Sequence, residues 1–253
     1  MSNAIVNISQ FKGLLNDPTF RAQMKNSMKE NAGAFASSLL DLYSTDSSLQ
    51  KCDPHAVMVE ALKACALKLP IVKNLGFAYV VPFKNKPTFM IGYKGYIQLA
   101  QRTGKYRFIN SGKVYEGMLI DDAENRLTGL IDIKGEKTSD VIVGYFAYIE
   151  LLNGFKKSVY MTKDECEKYG KKYSPSYGSS YSPWQNEFDK MAEKTCLRQL
   201  ISVFGYMSTE MQYAVSAEIE REKEILNADI EDEIKDPFTE TDSRQMDIED
   251  NAE

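Results

Sequence analysis

Apolar residues recur at helical spacing in the N-terminal third of the chain. Asp17-Pro18 and Asp53-Pro54 each predict a helix start, because Asp caps free backbone N–H groups and Pro fits the first helical position. The first of these helices is predicted to reach about Glu30, and the helix that starts at Pro54 is predicted to reach about Lys68. A further helix is predicted between them, over residues 34–43.

The middle of the chain is predicted to form strands, with one helix among them. Residues 93–102 return to helical spacing, and Gly104 would stop that helix. Pro82 predicts an edge strand or a bulge, and Asn153-Gly154 predicts a hairpin turn. The predicted strands cover residues 77–83, 88–91, 106–110, 113–119, 141–152 and 156–161.

The C-terminal part is predicted to be helical again. Thr162 can cap a short charged helix, a loop follows over Ser174–Pro183, and a longer helix runs from about Trp184 to Val203. Ser208 or Thr209 can start a last helix, and the chain beyond about Asn227 has few core-forming residues, so we expect disorder there. These elements predict an α+β fold, with a core of helices and antiparallel sheet, flanking helices and a disordered acidic C-terminal tail.

Charge divides the chain into two parts. The net charge of the 253 residues is -5, but residues 216–253 carry 15 acidic and 4 basic side chains, which leaves residues 1–215 with a net charge of +6. We therefore expect a core over 1–215 and an acidic helix end and flexible tail over 216–253. No acidic residue occurs between Glu60 and Glu116, an interval that holds ten Lys and Arg. Such a surface suits a polyanion, although a solvated basic face without a partner is the alternative.

Most catalytic signatures are missing. No phosphate loop of the form G-x-x-x-x-G-K-[ST] and no dinucleotide fingerprint occur, so no ATP-driven activity is predicted. His55 is the one histidine, and the four cysteines form no C-x-x-C pair, so we expect free thiols and no zinc site. Asp121, Asp122 and Glu124 leave a magnesium-dependent nuclease open as an alternative to a solvated turn. No membrane span and no secretory signal are predicted, and a cytoplasmic location is expected.

Cations and aromatic rings alternate in the acid-free interval, which suits single-stranded nucleic acid: lysine and arginine bind phosphates, and rings stack on unpaired bases. A second group of cations, Lys190, Lys194 and Arg198, has spacing i, i+4, i+8, which predicts one basic stripe on the long helix. A plain solvated stripe is the alternative. Tyr79 and Phe89 are expected to be buried in strands.

Several blocks of the sequence resemble a known family. They are Leu69–Phe83, the Ile91–Tyr106 block with its Gly-Tyr-Lys-Gly-Tyr-Ile-Gln-Leu-Ala core, Val143–Tyr148, Leu152–Lys157, Trp184 and Asp189–Arg198. In this order they resemble the RecT family of phage recombinases, which are single-strand annealing proteins related to the Red beta group. The resemblance covers about Lys12 to Met211, and the tail matches no motif of the family.

The resemblance implies a function and partners. Such proteins bind single-stranded DNA in a basic groove and anneal it to a complementary strand without ATP and without a covalent reaction. They assemble as rings or helical filaments and work beside a 5′-to-3′ exonuclease, and host single-strand binding protein is a further expected partner. The family fold is thought to be related to that of Rad-type annealing proteins. No cofactor is expected, and stimulation by Mg²⁺ is left open.

The resemblance also selects DNA-binding candidates. They are Lys84, Lys86, Tyr93, Lys94, Gln98, Arg102, Lys105, Arg107, Lys194 and Arg198, to which the predicted stripe adds Lys190. The sequence does not separate an annealing protein from a module that coats single strands without pairing them. For the acidic tail it leaves three readings open: a mimic of DNA in the groove, a docking segment, or a solubilising extension.

Overall fold

The computed structural model describes residues 2–83, 85–120 and 123–234, which fold as a mixture of helices and antiparallel sheet, as predicted. The α-helices of this part of the chain are α1 (Ser2–Asn16), α2 (Pro18–Met28), α3 (Ala32–Thr45), α4 (Pro54–Ala66), α5 (Tyr93–Arg102), α6 (Ala123–Thr128), α7 (Lys163–Tyr173), α8 (Pro183–Asn186), α9 (Phe188–Phe204) and α10 (Thr209–Ile234). The strands are β1 (Ala78–Phe83), β2 (Lys86–Ile91), β3 (Tyr106–Tyr115), β4 (Ile142–Leu151) and β5 (Lys156–Thr162).

The N-terminal helices contain two confirmed caps and one unpredicted helix. Asp17 Oδ1 accepts a hydrogen bond from Thr19 N at 2.8 Å, and Asp53 Oδ2 accepts one from Ala56 N at 2.8 Å, so both Asp-Pro pairs begin helices as predicted. Helix α1 was not predicted. It is fixed by Phe11, which is fully buried and stacks on Tyr43 with ring centroids 4.0 Å apart.

The β1–β2 hairpin is a two-stranded sheet whose outer edge on β2 is covered by side chains. Pro82 lies opposite Pro87 in the pairing, so the predicted edge position of Pro82 is confirmed. Phe89 N donates to a Glu60 carboxylate oxygen at 2.8 Å, and Ile91 N donates to Glu218 of α10 at 2.7 Å. These bonds satisfy edge N–H groups that would otherwise be open to another strand.

The second sheet has the order β3-β4-β5 and packs on α9. Residues 106–115 form one continuous strand, so the prediction of two strands with a break after Asn110 is wrong; irregular pairing near both ends of β3 lets it bend without interruption. The predicted turn between β4 and β5 is confirmed, with Gly154 at φ 87°. The face toward α9 is apolar and includes Tyr145, Ala147 and Ile149, which are buried.

The C-terminal helices differ from the prediction at two places. Thr162 caps α7, as predicted, and the structure adds a reciprocal hydrogen bond from Thr162 N to the Glu165 side chain. The long helix is divided, however, because Glu187 has φ -140° and ends α8 before α9 begins. Helix α10 runs into the acidic part of the chain, as predicted, but it continues past Asn227, where disorder was expected, to Ile234. The remaining tail residues, 235–253, lie outside the described residues.

Candidate nucleic-acid interface

The described part of the chain contains an open cleft of about 2830 Å³. It is lined by residues of α4 and the β1–β2 hairpin, by the start of α5, by the 174–182 loop, and by α8, α9 and α10. Six of the predicted DNA-binding residues line it: Lys86, Tyr93, Lys94, Lys190, Lys194 and Arg198. Lys84 lies outside the described residues.

The start of α5 brings the Gly-Tyr-Lys-Gly block of the sequence to the cleft wall. Gly92 packs against the chain at Gly76, where an added Cβ would lie 2.1 Å from the Gly76 carbonyl oxygen, so only glycine permits this approach. Tyr93 is held by a 2.8 Å hydrogen bond between its hydroxyl and Ser111 Oγ. Lys94 is exposed at the same turn, where the positive end of the helix dipole adds to its charge.

A lysine that we had not selected also lines the cleft. Lys113 Nζ lies 2.6 Å from Asp189 Oδ2, and the Tyr145 hydroxyl donates to Asp189 Oδ1 at 2.5 Å. Burial raises the pKa of the Asp189 carboxyl, but the hydrogen bonds from Lys113 and Tyr145 outweigh it and hold that pKa below its usual value. The sequence indicated Lys113 as a candidate for binding an anion only through its position in the acid-free interval.

The predicted basic stripe on α9 is wrong as an exposed surface. Lys190 is exposed and pairs with Glu187 at 2.7 Å, and Lys194 is half-buried. Arg198 is 9% exposed, lies within hydrogen-bond reach of the Tyr169 hydroxyl, and forms an ion pair with Glu222 of α10 at 2.9 Å. Helix α10 covers this end of the stripe, so three cations at regular helical spacing have three different environments.

Acidic residues also line the cleft, but the structure engages most of them with protein groups. Glu60 accepts from Lys63 and from Phe89 N, and Glu218 accepts from Ile91 N and the Tyr96 hydroxyl. In contrast, Lys86 and Lys94 form no ion pair with any residue that the structure describes. These two cations therefore keep their charge available for an anion in the cleft.

Two other candidates, Arg102 and Gln98, do not line the cleft. Arg102 donates to the carbonyl oxygens of Leu67 and Lys68 at 2.7 and 2.9 Å, which satisfies the C-terminal end of α4. Burial lowers the pKa of the Arg102 guanidinium. Gln98 Oε1 is buried, and it has no hydrogen-bond partner among the described atoms.

Lys105 and Arg107 lie on a separate surface, at the end of the β3-β4-β5 sheet. Arg107 pairs with Glu150 at 3.1 Å, and Lys105 Nζ lies 5.6 Å from the centroid of the Tyr206 ring. Neither residue lines the cleft. The predicted central block is therefore continuous in sequence but divided in space between two surfaces.

Aromatic residues complete the description of the cleft. Tyr79 is half-buried and lines the cleft, so it is more accessible than predicted, whereas Phe89 is buried at 5% exposure as predicted. All four cysteines are buried free thiols, which confirms that prediction. His55 is exposed and contacts the Phe20 ring edge-on, at 5.6 Å between centroids.

The acidic turn considered for a metal-dependent nuclease falls largely outside the described residues. Asp121 and Asp122 are not among them, and Glu124 is placed only as part of α6. Within the described ranges no three His, Cys, Asp or Glu side chains lie together as a metal site would require. In the same ranges no helix is both long enough and apolar enough to cross a membrane.

Comparison with known proteins gives a family match over most of the chain. The model of the RecT family matches residues 33–234. The chain is 46% identical over 216 residues to the uncharacterized protein YqaK of Bacillus subtilis (strain 168), covering 85% of this chain and 74% of that protein. It is 28% identical over 240 residues to protein RecT of Escherichia coli (strain K12), covering 89% of this chain and 85% of that protein.

Proposed function

We propose that this chain, which belongs to the RecT family, binds single-stranded DNA in the cleft and anneals it to a complementary strand without ATP. The observation that supports this most is the placement of Tyr93 and Lys94. They come from the block that resembles the family most specifically, and they stand together on the wall of the cleft.

The chemistry of the cleft suits a single strand. Lys86 and Lys94 offer unpaired positive charge to phosphates, and the half-buried rings of Tyr79 and Tyr93 offer faces to bases. These groups bind a backbone and a π-face that every nucleotide has, so we expect little sequence preference. Sequence is then read by base pairing between the two strands.

Annealing needs the repulsion between two polyanions to be reduced while the bases stay open. Fixed lysines lower that repulsion and release counterions condensed on the DNA. No bond is made or broken in this process, so no catalytic residue and no nucleotide are required. In this proposal Mg²⁺ acts by screening phosphates rather than at a protein site.

The proposal extends to assembly and partners. We propose that several copies act along one strand as a ring or helical filament, and that an exonuclease supplies the single strand. Host single-strand binding protein is proposed as the factor that the chain replaces on DNA. The acidic residues beyond Ile234 are proposed as the contact for a partner protein, because their charge is unsuited to DNA.

The test is a strand-pairing assay with purified protein and two complementary oligonucleotides that carry a donor and an acceptor dye. We expect energy transfer to rise faster than without protein when no nucleotide is present, with both strands recovered at full length. Binding without faster pairing would replace annealing by a coating function. Shortened strands in the presence of Mg²⁺ would instead support a nuclease.

A further inference from the structure

Five residues at the end of the β3-β4-β5 sheet form a surface that we call the end patch: Lys105, Phe155, Lys157, Phe204 and Tyr206. Phe155 and Phe204 are in ring contact, with centroids 6.5 Å apart, and Lys157 Nζ lies 5.1 Å from the Phe204 centroid. Lys105 Nζ lies 5.6 Å from the Tyr206 centroid. None of the five lines the cleft, so the end patch is a distinct surface.

The three rings of the end patch are exposed, large apolar side chains. Phe155 is 40% exposed, Phe204 37% and Tyr206 53%. Contiguous exposed aromatic residues mark a binding surface rather than an ordinary solvent-facing region. These rings therefore expose apolar surface to another flat, apolar group.

The end patch is held in place by hydrogen bonds between distant segments. Leu152 N donates to the Lys105 carbonyl oxygen at 2.9 Å, and the Tyr106 hydroxyl donates to the Tyr206 carbonyl oxygen at 2.9 Å. Gly205 permits this second contact, because an added Cβ would lie 2.6 Å from the Tyr106 hydroxyl. The surface is thus built in advance of any ligand.

The charge of this region is positive. Lys105 and Lys157 form no ion pair with the described residues, although Lys157 Nζ donates to the Thr128 carbonyl oxygen at 3.0 Å. Nearby, Arg107 and Lys156 share the single carboxylate of Glu150. Positive charge therefore exceeds negative charge here, which complements a polyanion.

We propose that the end patch is a second binding site for single-stranded DNA, which takes the incoming strand while the cleft holds the first. Bases stack on the rings of Phe155, Phe204 and Tyr206, and phosphates lie against Lys105 and Lys157. A second copy of the chain is a weaker fit, because lysines without carboxylate partners are depleted at protein interfaces. This inference rests on the proposed function, since a second strand is useful only if strands are paired.

The experiment measures the affinity of the protein for a first and for a second strand separately. The protein is first saturated with an unlabelled oligonucleotide, and a labelled, non-complementary oligonucleotide is then titrated in, so that base pairing contributes nothing. We expect the wild type to bind the labelled strand. Tyr206→Ala lowers this second affinity about tenfold and changes the first-strand affinity less than twofold, whereas Lys94→Ala shows the reverse.

Matched variants test whether second-strand binding depends on the aromatic ring and the lysine charge of the end patch. Tyr206→Phe retains the ring and is expected to restore second-strand binding. Lys105→Gln is expected to weaken second-strand binding, and Lys134→Gln, at an 86% exposed side chain outside the end patch, is the control that should change nothing. Annealing rates should follow the second-strand affinities across the series.

Three outcomes would overturn the inference. If Tyr206→Ala lowers first-strand and second-strand affinity equally, the end patch and the cleft act as one site. A changed particle mass in light scattering, with second-strand binding intact, would make the surface a contact between copies. Wild type that binds the first strand but no second strand contradicts this inference alone, and wild type that binds neither contradicts the proposed function.

Discussion

Arg198 on α9 forms a buried ion pair with Glu222 on α10, with a nitrogen–oxygen distance of 2.9 Å. The side chains are 10% and 21% exposed, and the Tyr169 hydroxyl donates to the same Glu222 carboxylate at 2.6 Å. Burial lowers the pKa of Arg198, but its interactions with Tyr169, Tyr96 and Glu222 outweigh burial and raise this pKa above its ordinary value. The guanidinium therefore stays charged. In the described structure this cation holds α10 to the core.

Arg198→Ala is therefore expected to act mainly on stability. Removing one partner leaves Glu222 as an uncompensated charge in a mostly buried place, which costs about 3–5 kcal/mol in the free energy of unfolding. Denaturant unfolding followed by circular dichroism measures it. Lys190→Ala, on the same helix but exposed, is the control and should change stability little. Unchanged stability with a clear loss of DNA affinity would instead show that Arg198 binds phosphate.

Lys94→Ala is expected to weaken binding to all single-stranded sequences alike. Lys94 is exposed on the cleft wall and has no ion pair among the described residues, so its loss removes one phosphate contact. The slope of log K against log salt concentration should fall in magnitude by about 0.7. Fluorescence anisotropy at several salt concentrations measures this slope. Lys134→Ala should leave it unchanged, and an unaltered slope in Lys94→Ala would remove Lys94 from the interface.

Gly95→Ala is expected to disturb the packing of α5. An added Cβ would lie 2.1 Å from the Phe77 carbonyl oxygen, and backbone cannot move away as a flexible side chain can. A loss of about 1–3 kcal/mol in unfolding free energy follows, as for other overpacked positions. Gly13→Ala is the matched comparison, because nothing lies within 4 Å of the added Cβ in α1. That change should stabilise by up to about 1 kcal/mol, and equal effects at both glycines would contradict the close approach.

The hydrogen bonds to the Asp189 carboxylate lead us to expect that the stability of the protein depends on pH at acidic values. Its pKa is held below the ordinary 3.8, so its contribution is complete at neutral pH and disappears as pH falls below about 3.8. The difference in unfolding free energy between wild type and Asp189→Asn should be at most about 1 kcal/mol at pH 7, since the side chain is 41% exposed, and should shrink below pH 4. Unfolding curves across pH measure it. Asp140→Asn, at a surface pair with Lys137 in which the Asp140 side chain is 97% exposed, should show a smaller difference, because solvent screens that pair.

Local signals in the sequence were sufficient for much of the fold. The Asp-Pro caps, the Asn153-Gly154 turn and the Thr162 cap each use residues close together in the chain, and all three are confirmed. Helix α1 was missed because its sequence carries no cap that marks a start. Its place depends on the stacking of Phe11 on Tyr43, a contact that the local pattern does not contain.

The candidate site was less accessible to sequence reasoning, because long-range contacts set the surroundings of each cation. The spacing of Lys190, Lys194 and Arg198 is correct for one face of a helix, but it does not reveal that Glu222 from another helix covers Arg198. Likewise Lys94 and Lys105 are close in the chain, yet α5 ends between them and the strand carries Lys105 to a different surface.

The bond between Ile91 N and the Glu218 carboxylate has a consequence for protein synthesis. The two residues are 127 positions apart, and Glu218 leaves the ribosome on the order of ten seconds after the hairpin at ordinary rates of translation. During that interval the Ile91 N–H on the edge of β2 lacks its partner from α10. The Arg198 guanidinium lacks Glu222 for a shorter time, because only 24 positions separate these two residues in the chain. The nascent chain therefore carries an open strand edge and an uncovered cation, and both are closed only when the last helix has been made.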